Sequence, residues 1–217
     1  DLFSNGGTGN LGGFKSGCTS NLIAANGVLN APDYTRTCQC SYQNQTSLAF
    51  VHMPELEYWT TNNWVWSGKP ISKIGINLNA PGDRMADDDV IWLDFPSVGG
   101  ESPDIPITLD STNINSIRRH SSLLQQNGLE WIGASALEGD IDLTVTLSDT
   151  LMNNARYTVT LLFAEMEDVL IGERVFDIYI NGEKAAEEVD IIKSAGEKYK
   201  TIDKVFPAIA INKTLRI

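Results

Sequence analysis

The chain reads YTVTLLFAE at residues 157–165 and GERVFDIYING at residues 172–182. Apolar and polar residues alternate in both stretches, as they do at residues 141–147. A period of two with one polar face is typical of antiparallel sheets that pack on one side. The Asn181-Gly182 pair that closes the second stretch is a strong signal for a tight hairpin turn. These patterns predict an all-β fold, with antiparallel strands arranged as a sandwich or jelly roll.

The composition of the chain fits a soluble globular protein. It has 217 residues, of which 42% are apolar and 20% are charged, and its net charge is −12. The negative charge argues against nucleic acid or an anionic membrane as a partner. No run approaches the ~20 apolar residues that a membrane span needs. Because the chain starts without Met and ends within a strand-like segment, we expect it to be an internal piece of a larger protein.

The motif content disfavours most familiar enzyme classes. The chain has two histidines and three cysteines, and it lacks C-x-x-C, H-E-x-x-H, Walker A and G-x-S-x-G motifs. Glu165 and Asp177 could be interpreted as the pair of catalytic carboxylates that a glycosidase requires. We expect them instead to satisfy backbone N–H groups or Arg174. The sequence therefore predicts that this fragment is not an enzyme.

The two quoted stretches resemble malectin and malectin-like domains. In that family an apolar strand ends in Phe-Ala-Glu, a short loop follows, and an Arg-Val-Phe-Asp-Val strand closes in Asn-Gly. Residues 76–79 resemble the family's opening strand, and Val189-Asp190-Ile191 resembles the strand after the hairpin. The resemblance covers residues 72–217 and implies a jelly-roll-like antiparallel β-sandwich that binds carbohydrate. One more apolar strand normally follows, so the domain is expected to be truncated at its C-terminus.

The resemblance also implies where carbohydrate would bind. The family's aromatic pair just after Phe-Ala-Glu falls on Glu167 and Asp168, where two carboxylates replace a stacking surface. Carboxylates accept hydrogen bonds from sugar hydroxyls. An aromatic residue of the family's site corresponds to Trp131, which lies either at a loop mouth or inside. Trp92 is the fourth candidate, either as a core ring or as a platform for a ligand.

The first segment resembles a different fold. Residues 17–34, GCTSNLIAANGVLNAPDY, followed by Cys38 and Cys40, look like the end of a quinoprotein-like (PQQ-binding-like) β-propeller. The resemblance implies an exported bacterial parent protein, with upstream propeller blades of the same chain as a partner and a quinone-dependent oxidoreductase activity outside this fragment. Cys18 could form a disulfide with Cys38 or Cys40, or all three could be reduced thiols.

The domain organisation follows from these two resemblances. We expect a terminal propeller fragment with a short β-hairpin at residues 1–55, a Trp-rich linker at 56–71 and the truncated sandwich at 72–217. The linker tryptophans either pin the linker onto a sheet or form a sugar-stacking platform, and the first interpretation is favoured.

Two charged segments allow further interpretations. Asp87, Asp88 and Asp89 could bind calcium in a loop or form a solvated acidic turn. No other cofactor is expected in this fragment. Arg118-Arg119-His120 is a small basic cluster that could meet an acidic sugar or pair with neighbouring carboxylates.

The sequence leaves two functions open. The first is a non-catalytic carbohydrate-binding module of an exported multidomain protein, which binds an oligosaccharide or polysaccharide through loop carboxylates and one or two rings. The alternative is a protein-interaction or spacer module packed on a quinoprotein-like propeller dehydrogenase, with no sugar site of its own. The replaced aromatic pair favours the alternative.

Overall fold

The computed structural model describes residues 22–26, 28–32, 47–51, 59, 65–86, 89–97, 104–125 and 130–217. The chain forms two compact units, Asp1–Tyr58 and Trp59–Ile217. Half of the described residues lie in strands and 8% in helices, so the predicted all-β class is confirmed. None of the helices in the described ranges is long and apolar enough to cross a membrane.

The first unit contains a three-stranded antiparallel sheet. Its strands are β1 (Ile23–Ala25), β2 (Val28–Ala31) and β3 (Leu48–Val51), in the order β1-β2-β3. Ala25 pairs with Val28, and Asn26, which lies in the predicted turn between them, has φ of 53°. The three cysteines lie outside the described residues, so the disulfide stays a prediction.

Among its described residues, the second unit contains twelve strands and three short helical segments. The strands are β4 (Gly75–Leu78), β5 (Arg84–Met85), β6 (Ile91–Phe95), β7 (Ile107–Leu109), β8 (Thr112–Arg118), β9 (Ser135–Asp140), β10 (Leu143–Thr146), β11 (Arg156–Ala164), β12 (Val175–Ile180), β13 (Glu183–Asp190), β14 (Thr201–Ala210) and β15 (Thr214–Arg216). The helices are α1 (Glu130–Gly133) and α2 (Ile191–Ala195), and Ser121–Leu123 form a 3-10 turn.

Most of the strands pair in antiparallel fashion. The sheets have the orders β15-β10-β7, β11-β14, β12-β13 and β8-β9. Ile180 pairs with Glu183, so Asn181 and Gly182 form the predicted turn with φ values of 51° and 85°. The exception is a parallel pair, β4 and β6, which the alternation does not indicate. The connecting β5 pairs antiparallel with the other edge of β6.

The apolar interior consists of two clusters that meet. The first contains Ile71, Leu93, Ile105, Leu143, Val145, Leu147, Met152 and Ile211. The second contains Val159, Ile178, Ile180 and Val189. Ile209 and Leu215 pack against both clusters, which makes the interior continuous. Burial of each aliphatic side chain stabilises the fold by roughly 1.5–3 kcal/mol.

One predicted boundary is wrong by a residue. The strand after the hairpin, expected to include Ile191, ends at Asp190. The Asp190 carboxylate accepts a hydrogen bond from the Lys193 backbone N–H at 2.9 Å and so caps α2. Gly196 ends this helix in the left-handed conformation, with φ of 86°.

Candidate functional site

The turn that carries Trp131 lies against the end of β11, where the Phe-Ala-Glu sequence is located. A Cβ atom added at Gly133 in α1 would come within 2.5 Å of Thr201 Cγ2 and 3.5 Å of Ala164 Cβ. Such close packing leaves no room for a side chain at this position. The fold therefore brings α1, which contains Trp131, close to Ala164 at the end of β11, although the sequence separates them widely.

Trp131 is part of a cluster of three tryptophans. Its ring is in edge contact with Trp92 at 5.8 Å and with Trp59 at 6.2 Å between centroids. The Arg84 guanidinium carbon lies 4.7 Å from the centroid of the Trp131 ring, in cation–π range. Only 8% of Trp131 is exposed. The ring therefore supports the site from inside and offers little open face for a sugar.

Trp92 has a packing role on β6. It is opposite Gly75 of β4, and a Cβ atom at Gly75 would lie 2.1 Å from Trp92 Cδ2. The ring thus lies directly on the Gly75 backbone and is half-buried. Of the two interpretations of Trp92, the contacts favour the core ring.

The linker tryptophans in the described residues pack on the second unit. Trp59 contacts Trp131, and Trp66 packs against the first apolar cluster. Trp66 also donates a hydrogen bond from Nε1 to the Lys69 carbonyl at 2.9 Å. The contacts of Trp59 and Trp66 agree with the favoured interpretation that these rings pin the linker, which stays a prediction.

Buried polar residues that were not predicted from the sequence lie close to the backbone of Trp131 and along β6. Ser135 Oγ donates to Asn77 Oδ1 at 2.9 Å, and the Asn77 amide reaches the Trp131 carbonyl at 3.5 Å. The Asp94 backbone N–H donates to Asp83 Oδ1 at 3.0 Å. All four polar side chains are buried. The sequence signal that could have revealed them is a polar residue at a buried position of an alternating strand, such as Asn77 in β4.

Glu165 organises the loop after β11. Only 1% of it is exposed, and it accepts a hydrogen bond from the Glu167 backbone N–H at 2.9 Å. It also forms an ion pair with Arg174, which additionally contacts Glu138 and Glu167. Partial burial works to lower the pKa of Arg174, but the hydrogen bond and the charges of these carboxylates raise it overall. The predicted structural role of Glu165 is confirmed.

Asp177 has a comparable structural role on β12. It accepts a hydrogen bond from the Glu188 backbone N–H at 3.0 Å and pairs with Lys184 at 2.7 Å. The hydrogen bonds from Lys184 and Glu188 lower the pKa of Asp177. These contacts again match the expectation that the carboxylate satisfies backbone N–H groups.

Glu167 and Asp168 form the accessible part of the loop. The Glu167 side chain is 40% exposed and the Asp168 side chain 88%. Asp168 forms an ion pair with Lys198, and this hydrogen bond raises the pKa of Lys198. The Tyr199 backbone N–H donates to the Glu165 carbonyl at 2.8 Å, which ties the Lys198 segment to the loop. Glu167 and Asp168 are thus exposed to solvent on a loop that the contacts of Glu165 hold in place.

The tip of the same loop is apolar and ordered. Leu170 and Ile171 are 72% and 65% exposed. The Leu170 backbone N–H donates to Glu173 at 2.6 Å, and the Gly172 N–H donates to Asp190 at 2.8 Å. The loop therefore presents an apolar tip next to its carboxylates. The sequence did not predict this tip.

The predicted calcium loop is only partly described. Asp87 and Asp88 lie outside the described residues, and Asp89 is exposed in a left-handed turn with φ of 59°. In the part of the chain that the structure covers, no three His, Cys, Asp or Glu residues are grouped so that they could hold a metal ion. Calcium binding by the three aspartates stays a prediction.

The loop of Glu167 and Asp168 lies within the part of the chain that matches a known protein family. Residues 144–217, about a third of the chain, match the family model of the Malectin domain. Receptor-like protein 4 of Arabidopsis thaliana is 43% identical over 63 residues, which are 28% of this chain and 10% of the plant protein. The match therefore spans only a small part of that relative. No solved structure matches the chain significantly.

Proposed function

We propose that the second unit is a non-catalytic carbohydrate-binding module of an exported multidomain protein. The malectin match over residues 144–217 supports the carbohydrate-binding class. The observation that carries the proposal is the exposed carboxylate pair of Glu167 and Asp168, held in place by the contacts of the buried Glu165 with Arg174 and with the Glu167 backbone N–H. Pre-organised polar groups on a rigid base are what a sugar site requires, because little entropy is then lost on binding.

The mechanism of binding is hydrogen bonding with apolar support. The carboxylate oxygens of Glu167 and Asp168 accept hydrogen bonds from sugar hydroxyls, and a charged acceptor strengthens each bond. The exposed side chains of Leu170 and Ile171 cover the apolar C–H face of a sugar ring. The buried ring of Trp131 packs on Trp92 of β6 and so helps to fix α1, whose Gly133 lies close to Ala164 at the end of β11.

A second candidate function is protein interaction. Exposed aliphatic side chains on an ordered loop, such as Leu170 and Ile171, also suit contact with another protein. The replacement of the family's aromatic pair by Glu167 and Asp168 supports this candidate too. In that case the module is a spacer or docking domain of a parent that carries a quinoprotein-like propeller.

A glycan array probed with the folded chain tests the primary proposal, followed by calorimetry on the bound glycans. The double variant Glu167→Gln/Asp168→Asn removes both charges but keeps the side-chain shapes. A hydrogen bond to a charged group contributes about 1.5–3 kcal/mol, so we expect affinity to fall about tenfold or more.

The matched control is Asp142→Asn. Asp142 is ion-paired with Arg216 as Asp168 is with Lys198, but Arg216 pairs across the sheet near the Asn181 turn, at the other end of β12. We expect the control to bind within about twofold of the unaltered chain. A folded chain that binds no glycan would contradict carbohydrate binding and favour the protein-interaction candidate. Binding that survives the double variant would place the site elsewhere.

A further inference from the structure

The basic cluster Arg118-Arg119-His120 lies next to the residues that follow α1. Arg118, the last residue of β8, pairs with Ser135 at the start of β9. The Arg119 backbone N–H donates to the Ala134 carbonyl at 2.7 Å. Ala134 and Ser135 directly follow α1, which packs against the end of β11. The backbone therefore places both arginines next to the turn of Trp131.

The Arg118 guanidinium is held in one orientation. Its Nε donates to the Asn79 carbonyl at 2.9 Å, and its Nη2 donates to Asn79 Oδ1 and the Ala80 carbonyl at 3.3 Å each. Asn79 is in the left-handed conformation with φ of 63°. These bonds, within the described residues, use Nε and Nη2. The two N–H groups of Nη1 remain for a ligand, on a side chain that is exposed.

The charges of these arginines are not neutralised by carboxylates within the described residues. Arg118 bonds to neutral oxygens only, and Arg119 donates to the Arg118 carbonyl at 3.0 Å. Four other cations of the unit, Arg174, Lys184, Lys198 and Arg216, have carboxylate partners, whereas Arg156 donates to a carbonyl as Arg118 and Arg119 do. In a chain with 28 acidic and 16 basic residues, two adjacent arginines without a carboxylate are a distinct positive site.

His120 extends this cluster without adding a negative charge. Its Nδ1 accepts a hydrogen bond from the Ser122 backbone N–H at 3.2 Å and lies 2.8 Å from Ser122 Oγ. Arg118 and Arg119 therefore supply the donors of the cluster.

We infer that Arg118 and Arg119 bind an anionic substituent, a sulfate ester or a uronate carboxylate, on the polysaccharide that the module recognises. This inference rests on the proposed function and adds the substrate class. The planar guanidinium matches two oxygens of either anion. The net charge of −12 does not prevent this contact, because charges more than ~8 Å apart are largely screened at physiological salt.

The first test uses glucans that share a backbone and differ only in their substituent. Dextran, carboxymethyl dextran and dextran sulfate form one series, and hydroxyethyl cellulose, carboxymethyl cellulose and cellulose sulfate form a second. We expect at least one anionic member to bind about tenfold more tightly than its neutral counterpart at low salt, and this preference to shrink at high salt. Within each series, the anionic glucan that binds more tightly shows whether the site prefers a sulfate ester or a carboxylate.

The variants locate the anion. Arg119→Gln keeps the bonds of Arg118 to Asn79 and Ala80 and is expected to fold normally. It should lower the preference about threefold, and Arg118→Gln/Arg119→Gln should abolish it. Arg156→Gln is the matched control, because Arg156 also donates to a carbonyl, that of Ala208 at 2.9 Å, but has no adjacent arginine. The control should keep the preference.

A titration with inorganic sulfate, followed by ¹H–¹⁵N spectra of the arginine Nε–H groups, separates the two proposals. We expect the Arg118 signal to shift saturably while the Arg156 signal stays in place. Equal binding of neutral and anionic glucans without a sulfate shift overturns this inference and leaves carbohydrate binding intact. A sulfate shift without binding to any glucan in either series overturns the assignment of the anion to a polysaccharide.

Discussion

Gly75→Ala is predicted to displace the Trp92 ring and destabilise the second unit. Gly75 lies in β4 opposite Trp92 of β6. Its new Cβ atom would come within 2.1 Å of Trp92 Cδ2 and 2.5 Å of Cε2 and Cε3. The φ angle of Gly75 is outside the left-handed region, so the overlap with the ring is the whole cost.

The size of the effect follows from the overlap. Carbon atoms in contact are ordinarily about 3.5–4.0 Å apart, so the ring must move by more than about 1 Å. Trp131 contacts the ring edge-on at 5.8 Å and restricts that movement. Overpacking of this kind costs about 1–3 kcal/mol. For a unit of this size, about 2 kcal/mol lowers the melting temperature by roughly 4–8 °C.

Thermal unfolding followed by circular dichroism measures this shift, and near-ultraviolet spectra report the tryptophan environment. Gly182→Ala is the control, because nothing lies within 4 Å of its Cβ position although its φ is +85°. Gly182→Ala therefore reports backbone strain without overlap. In a Trp92→Leu background, Gly75→Ala should be much less costly. If Gly75→Ala melts within about 1 °C of the unaltered chain, the ring does not pack on Gly75 and the reasoning is refuted.

Three further predictions concern stability. Glu165→Gln should lower the free energy of unfolding by about 2 kcal/mol in urea, because Arg174 loses a buried partner, and a loss under about 0.5 kcal/mol would contradict this. The N–H groups of Lys193 and Gly172 lower the pKa of Asp190, so its contribution is present above about pH 4 and is lost as the pH falls further. Asp190→Asn should flatten this acid dependence, and equal acid profiles would be inconsistent with the assignment. Leu93→Ala should cost about 2–5 kcal/mol, whereas Leu151→Ala, at a 77% exposed position, should stay within about 0.5 kcal/mol.

The strands with one polar face were predictable from the sequence. In β10, in β12 and in residues 156–161 of β11, exposure alternates along the strand, so alternation alone indicates which face is buried. The Asn181-Gly182 turn was predictable for a similarly local reason, since these residues adopt left-handed conformations readily, and Asn26 also adopts one. The parallel pairing of β4 with β6 was not, because it depends on how the chain crosses between layers.

The candidate site was predictable only in part. The position of Glu167 and Asp168 follows from a local motif, and their accessibility agrees with their polarity. The enclosure of Trp131 could not be read from its neighbours, because the rings and the cation around it come from distant segments. The bond between Ser135 and Asn77 joins residues 58 positions apart, so the pattern of β4 can indicate a buried polar residue but not its partner.

Mapping of a bound oligosaccharide by NMR tests the central claim most directly. A short glycan selected from the array would be titrated into the ¹⁵N-labelled chain, and the shifts of its backbone amides recorded. The account predicts saturable shifts concentrated at residues 165–174 and at Lys198, with the Asn181-Gly182 turn unaffected. Shifts concentrated at that turn, or no saturable shift in a folded chain, would contradict carbohydrate binding by the loop of Glu167 and Asp168.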